Sequence, residues 1–189
     1  DLAQKIDQTE TPEFKNWFGD SQAREPMVSS KQKLADMPPL RMYHTTRNAD
    51  FDVFEANRPT INSTTFGDVE TSRAAMFFTP SVEDSNAYGK LSDGRVVKGA
   101  ATMPVYLRAQ NPLYLTEGIE EVDAQRLIDA GMSSRFVYNA LGNWAMFDDE
   151  GGKELVETLK EAGYDSVVFN DENPITGEAF EAWAVFDPT

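Results

Sequence analysis

Apolar positions along the chain follow two rhythms, one of strands and one of helices. Ala75-Met76-Phe77-Phe78 is a short apolar run rich in aromatics and bounded by Pro80, and it predicts a buried strand. Leu40-Arg41-Met42-Tyr43-His44 predicts another, with Thr45-Thr46 as its polar exit. Met103–Ala109 alternates as a strand, Asn111-Pro112 breaks it, and Leu113-Tyr114-Leu115 makes a second short piece. Asp165–Phe169 and Ala182–Phe186 read as the last two strands, joined by a polar turn, Asn170–Phe180, that contains Asn173-Pro174 and Gly177.

Helical spacing appears elsewhere. Thr11-Pro12-Glu13 supplies an N-cap, a first-turn proline and an early acid, and Phe14, Trp17 and Phe18 then form an i, i+3, i+4 patch suited to docking. Ile119–Ala130 is helical through Val122, Leu127 and Ile128, and Ser133 or Ser134 caps a further helix carrying Phe136, Leu141 and Trp144. Gly151-Gly152 reads as the separator before a helix at Lys153–Ala162, which Gly163 stops. Lys31–Met37 is a loop or a short helix, and Phe51, Val53 and Phe54 suggest a helical turn or a packed loop. Residues 57–73, rich in Gly, Pro, Asn, Ser and Thr, read as a long loop of the functional kind. Strands first and last, helices between, and no βαβ rhythm predict an α+β fold with a largely antiparallel sheet. Residues 1–10 read as a linker-like tail and 11–189 as a single domain.

After the strand at Ala75–Phe78, Ser81 stands where an N-cap belongs, with Asp84 three residues on. Ser81, Ser85 and Tyr88 then fall at i, i+4 and i+7 on one helical face. A core stripe would carry Leu or Val there; two hydroxyls and a phenol suit either solvent or a polar planar ligand, and spacing leaves both open.

Charge narrows the choice of partner. The 32 acidic residues against 17 basic give a net −15, which opposes non-specific binding to nucleic acid or to anionic membranes. An anionic ligand would need a local cationic cluster, for which Arg41, Arg47, Arg58 and Arg73 are candidates unless they are solvated surface. With no cysteine, the chain has no disulfide, thiol nucleophile or thiolate zinc site, and the single histidine, His44, rules out a His-cluster metal centre. No apolar run approaches the ~20 residues of a membrane span, and no signal-peptide pattern opens the sequence. Neither a Gly-x-Ser-x-Gly turn nor a phosphate-cradling glycine loop is present. What remains for chemistry is His44, Ser85 with Tyr88, and Glu178 with Glu181, at three strand edges.

Met42-Tyr43-His44-Thr45-Thr46, Met76-Phe77-Phe78-Thr79, Ser85-x-x-Tyr88 and Glu181 before Trp183-Ala184-Val185-Phe186 resemble, in this order, the ADP-ribosyltransferase fold in its diphtheria-toxin and poly-ADP-ribose-polymerase-like branch. The signature of that branch is His, Tyr and Glu on three successive elements. Thr11–Asp20, Asn111-Pro112-Leu113, Ala162–Ser166 and Val185–Pro188 extend the resemblance, which is closest to domains of bacterial and phage polyvalent proteins and toxins. It implies a split antiparallel sheet with surrounding helices, NAD as substrate, nicotinamide as product and a macromolecular acceptor, most readily a protein. It further implies a domain excised from a larger toxin or effector acting in the cytoplasm of the producing or a target cell, without metal or membrane. NAD glycohydrolysis, and a non-catalytic domain that binds NAD or a protein, are the alternatives.

Carried onto this chain, the resemblance implies that His44 and Thr45 contact the adenine-side ribose and the nicotinamide amide. Ser85 would bond that amide, Tyr88 would stack on its ring, and Phe77-Phe78 would form an aromatic wall. Thr46 and Arg47 complete the implied NAD-binding set, and Glu181 would hold the nicotinamide ribose and stabilise the oxocarbenium-like transition state. Three departures stand out. Thr45 follows the His where many relatives have Gly, Phe77-Phe78 includes no second Tyr, and Glu181 lies six residues before Asp187. Polymerase-type relatives place their Glu one residue closer, where this chain has Ala182. A one-residue slip turns a strand side chain to the opposite face, so a bulge at Glu181, Glu178 from the turn, or no acid at all are the possible outcomes.

Overall fold

The computed structural model describes residues 7–27, 32–47, 53–56, 59–64, 67–91 and 93–187, with backbone alone for 59–64 and 67–71. The elements run α1 (Pro12–Phe18), β1 (Met42–Thr46), β2 (Pro59–Thr64), β3 (Gly67–Ser72), β4 (Met76–Phe78), α2 (Val82–Ala87), β5 (Ala101–Val105), β6 (Pro112–Tyr114), α3 (Glu121–Asp129), α4 (Ser134–Asn139), α5 (Asp149–Glu161), β7 (Ser166–Glu172) and β8 (Ala179–Val185).

The sheet is split. β1 and β5 form one antiparallel pair, and β4-β8-β7-β6 form a four-stranded sheet. The halves are joined where Tyr43 and Thr79 exchange both backbone hydrogen bonds, at 2.8 and 3.1 Å. All pairings are antiparallel except β6 with β7. That parallel pair needs a crossover, which the helical segment α3–α5 supplies; the absence of a repeated βαβ rhythm hid this one unit.

Alternation along the strands gives the four-stranded sheet two different faces. Val167, Phe169, Ala182, Ala184 and Phe186 point to the core built with α3, α4 and α5, where Leu127, Val137, Phe147 and Leu159 are buried. Val168, Trp183 and Val185 point the other way and pack with Met42, Phe78, Leu107 and Ala23. The amino-terminal segment belongs to this second layer. Thr11 caps α1 through its hydroxyl, as its sequence context predicts, and Phe14 meets Tyr106 edge-on at 5.2 Å between ring centroids. Ser21 is buried, donates to the Leu107 carbonyl at 2.8 Å and accepts from the amide of Ala109.

Several elements differ from the sequence expectation for identifiable reasons. Residues 59–64 and 67–72 are a paired two-stranded ribbon, with Ile61 opposite Glu70; its Thr, Ile and Val are β-branched strand formers that lack an apolar alternation. The predicted strand at Met103–Ala109 is instead β5, Ala101–Val105. The helix expected from Lys153 begins at Asp149 and runs through Gly151-Gly152. Gly152 is there for close approach: a Cβ at this position would lie 2.2 Å from the Phe147 carbonyl. β7 and β8 reach further than expected and leave only a short turn at 173–178. Between Lys33 and Met37 the chain makes one 3-10 turn, Leu34–Asp36. Phe51 and Arg58 lie outside the described residues, as do residues 1–6 of the linker-like tail. Among the described residues no helix is long and apolar enough to cross a membrane.

Candidate active site

The split in the sheet sets the site, because β1 leaves β4 just where α2 begins. Ser81 caps α2 by accepting from the Asp84 amide at 3.2 Å. This fixes the first turn and carries Ser85 and Tyr88 round to β1. Ser85 is 2 % exposed, and its hydroxyl lies 2.8 Å from that of Thr45. Thr45 also reaches the Thr102 hydroxyl at 2.6 Å, and Thr102 donates to Asn86. Four polar side chains from β1, α2 and β5 are thereby knotted together. The Ser81-Ser85-Tyr88 stripe therefore faces the protein and not solvent. Gly89 follows, where a Cβ would stand 3.0 Å from the Thr45 methyl, so the chain passes close beneath β1.

Tyr88 ends α2 half-buried. Its hydroxyl donates to Asp171 on β7 at 2.8 Å, and its ring meets Phe180 on β8 edge-on at 6.3 Å. Asp171 and Phe180 are direct cross-strand partners and so share a face. Two residues along each strand, Phe169 and Ala182 continue that face, as does Phe77 on β4, opposite Ala184. Burial, then the bond to Asp171, holds the Tyr88 phenol protonated far above the usual tyrosine range. Beside Phe77, the Arg73 guanidinium lies between the Phe77 and Trp144 rings, 5.4 and 5.0 Å from their centroids, and pairs with Asp148 at 3.0 Å.

His44 is built differently. Its Nδ1 lies 2.8 Å from the Phe77 carbonyl. A carbonyl only accepts, so Nδ1 carries the hydrogen and Nε2 is the acceptor nitrogen. The ring packs on Phe54 and Phe78, on the Trp183 side of the sheet. Burial pushes its pKa down, partly offset by the Phe77 carbonyl, and favours neutral imidazole.

Glu181 does not reach Tyr88. No bulge interrupts β8: Glu181 pairs with Asn170 in unbroken register, on the face of Trp183 and Val185. Its carboxylate accepts from the Trp183 indole at 2.8 Å. Ala182 occupies the Tyr88 face instead. Glu178 is exposed in the turn, where its carbonyl accepts from the Asn173 amide. The three described arginines of the four do not form one cluster. Arg41 reaches toward Tyr106 at 3.4 Å and Arg73 is paired with Asp148. Arg47 is exposed and donates to the carbonyls of Tyr88 and Lys90 at 3.1 and 3.2 Å. Thr46, half-buried, ends β1 opposite Ala101.

Thr45 and Ser85 are thus joined where β1 meets α2, with Arg47 beside Tyr88, and Phe77 shares the sheet face of Asp171 and Phe180, which meet Tyr88; His44, Phe78 and Glu181 lie toward the other face. The family described as ADP-ribosyltransferase in polyvalent proteins matches residues 36–189, which takes in both halves of the split sheet and all of these residues. The chain belongs to that family. No curated protein and no solved structure matches it. The α+β architecture with its split sheet is that of an ADP-ribosyltransferase domain, and the described residues before 36 pack on it.

Three contributors to this candidate site carry no sequence signal of their own. Asp171 is one of 32 acids in the chain and falls in a segment read as a turn. Asn86 and Thr102 acquire their places only through the pairing of β1 with β5.

Proposed function

We propose that this ADP-ribosyltransferase domain cleaves NAD, releases nicotinamide and transfers ADP-ribose to a macromolecular acceptor, most readily a protein, as a toxin or effector of bacterial or phage origin. The observation that supports the reading is the junction at the sheet split within the family match, where Tyr88 and Phe77, both half-buried, offer aromatic surface to a planar ring. Ser85 acts through Tyr88: its bond to Thr45 sets the distance from α2 to β1 and so the position of the ring three residues on. Arg47, exposed beside the Tyr88 carbonyl, is the cation within reach of the dinucleotide's phosphates in a chain of net charge −15. Asp171 and Asp84 bring negative charge to Tyr88, partly offset by Arg73; these carboxylates favour a cationic nicotinamide ring and the positive sugar formed as it leaves.

Incubation of the purified domain with NAD labelled in its adenylate half, with and without cell lysate, tests this. Labelled macromolecule is the expected result. Free ADP-ribose alone would convert the reading to NAD glycohydrolysis, and intact NAD would leave a binding domain.

A further inference from the structure

We propose that Asp171 is the carboxylate that acts at the nicotinamide-bearing ribose in this chain; the inference rests on the NAD-cleaving reading above. Departure of nicotinamide leaves positive charge on C1′ and the ring oxygen. A fixed carboxylate on the same side of the sheet as the stacked ring is what such a step requires.

Of the neighbouring carboxylates, Glu178 is exposed in the turn, and three others are directed elsewhere. Glu181 is on the opposite face and bonded to Trp183. Asp148 is paired with Arg73. Asp84 accepts from the Asn173 amide nitrogen at 2.7 Å, which ties α2 to the β7–β8 turn. Asp171 stands on the Tyr88 face, half-buried, with Oδ1 accepting from the backbone amide of Glu172 at 2.8 Å and Oδ2 accepting from Tyr88 at 2.8 Å. Both oxygens are oriented, and each retains an unused lone pair for a sugar hydroxyl. Tyr88 remains a donor because burial keeps its hydroxyl protonated. β7 is the immediate neighbour of β8, and Asp171 lies diagonally across from Ala182, so a carboxylate from the adjacent strand reaches the side of the sheet that Ala182 leaves without one.

In the step, the C1′–N bond breaks and both its electrons go to nicotinamide, which leaves neutral. Asp171 holds a ribose hydroxyl and offsets the charge of the resulting oxocarbenium. The acceptor's lone pair then closes on C1′, and its proton passes to Asp171 and on to solvent.

The experiment measures nicotinamide release and NAD binding for the parent, Asp171→Asn, Glu181→Gln and Tyr88→Phe, each checked for folding by circular dichroism. Asp171→Asn is expected to lower kcat about 10²-fold with NAD affinity within about threefold, and Glu181→Gln to lose far less. Tyr88→Phe keeps the ring but releases Oδ2, so kcat should drop several-fold at unchanged KM. Full activity in Asp171→Asn, or a larger loss in Glu181→Gln, overturns the assignment while NAD cleavage stands. Should Asp171→Asn fail to fold, a parent-like kcat in Tyr88→Phe overturns it. A parent that releases no nicotinamide with lysate present overturns both readings.

Discussion

Thr45 on β1 and Ser85 on α2, 40 residues apart in sequence, join their hydroxyls at 2.8 Å where β1 meets α2. Ser85 is almost wholly buried, so the pair replaces water with a protein partner. Removing the Thr45 hydroxyl strands that of Ser85, and removing the Ser85 hydroxyl leaves Thr45 with Thr102 alone, whereas removing both leaves an apolar contact of similar shape. Thr45→Val and Ser85→Ala should each destabilise the fold by about 1 kcal/mol. The double variant should be less destabilised than their sum by roughly 0.5 kcal/mol or more. Urea unfolding of all four proteins gives the coupling directly, and strict additivity would show the contact to be idle.

His44 should make the fold sensitive to mild acid. Its folded pKa is lowered by burial, so the unfolded chain takes up a proton first, below about 6.5. The stability owed to burying neutral imidazole is present above that pH. It is lost as pH falls from there toward the folded pKa, and levels off below it. Unfolding midpoints at pH 7.5 and 5.5 should therefore fall further in the parent than in His44→Gln. Equal declines would place the acid sensitivity elsewhere.

At Gly152 a methyl group should be costly despite a helical backbone. Alanine normally gains about 1 kcal/mol over glycine in a helix interior. Here its Cβ would overlap the Phe147 backbone at 2.2 Å, forcing α5 away from the 3-10 turn Trp144–Phe147 that precedes it. Gly152→Ala is expected to destabilise by about 2 kcal/mol or more, measured as a lowered denaturation midpoint at unchanged denaturant slope.

Ser21 anchors the flank that precedes the family match. Its oxygen serves the Leu107 carbonyl and the amides of Ala23 and Ala109. Ser21→Ala leaves these buried backbone groups short of a partner, at a cost of about 1–3 kcal/mol. Trimming the chain to residue 36 should cost more than this single substitution, because Ala23 also leaves the second core layer. Melting temperatures of the two variants decide the order.

Arg47→Gln should weaken NAD binding by about tenfold, on the scale of one charge-assisted contact, with kcat little changed. The loss should shrink in high salt because the side chain is exposed. Binding titrations at two ionic strengths test both features.

Local chemistry in the sequence was enough for many of the parts. The Thr11 and Ser81 caps, the apolar strands at Ala75–Phe78 and Asp165–Phe169, and the ordered motifs at His44, Ser85 and Tyr88 are short-range patterns, and they predict both the fold class and the family. Tertiary structure decided which of those residues meet. The ribbon of β2 and β3 is fixed by cross-strand pairing, which leaves no period in a Thr- and Ser-rich segment. The two glycines before Lys153 look like a break until Phe147 is seen packed on one of them. Most consequentially, the sequence places a glutamate one position from where the family pattern sets its acid, and only the register of β8 against β7 shows which face it takes. With no bulge, strand alternation carries Glu181 to Trp183 and leaves Ala182 toward Tyr88. The same register brings Asp171, unmarked among so many acids, into hydrogen-bonding contact with the tyrosine that the motif had singled out.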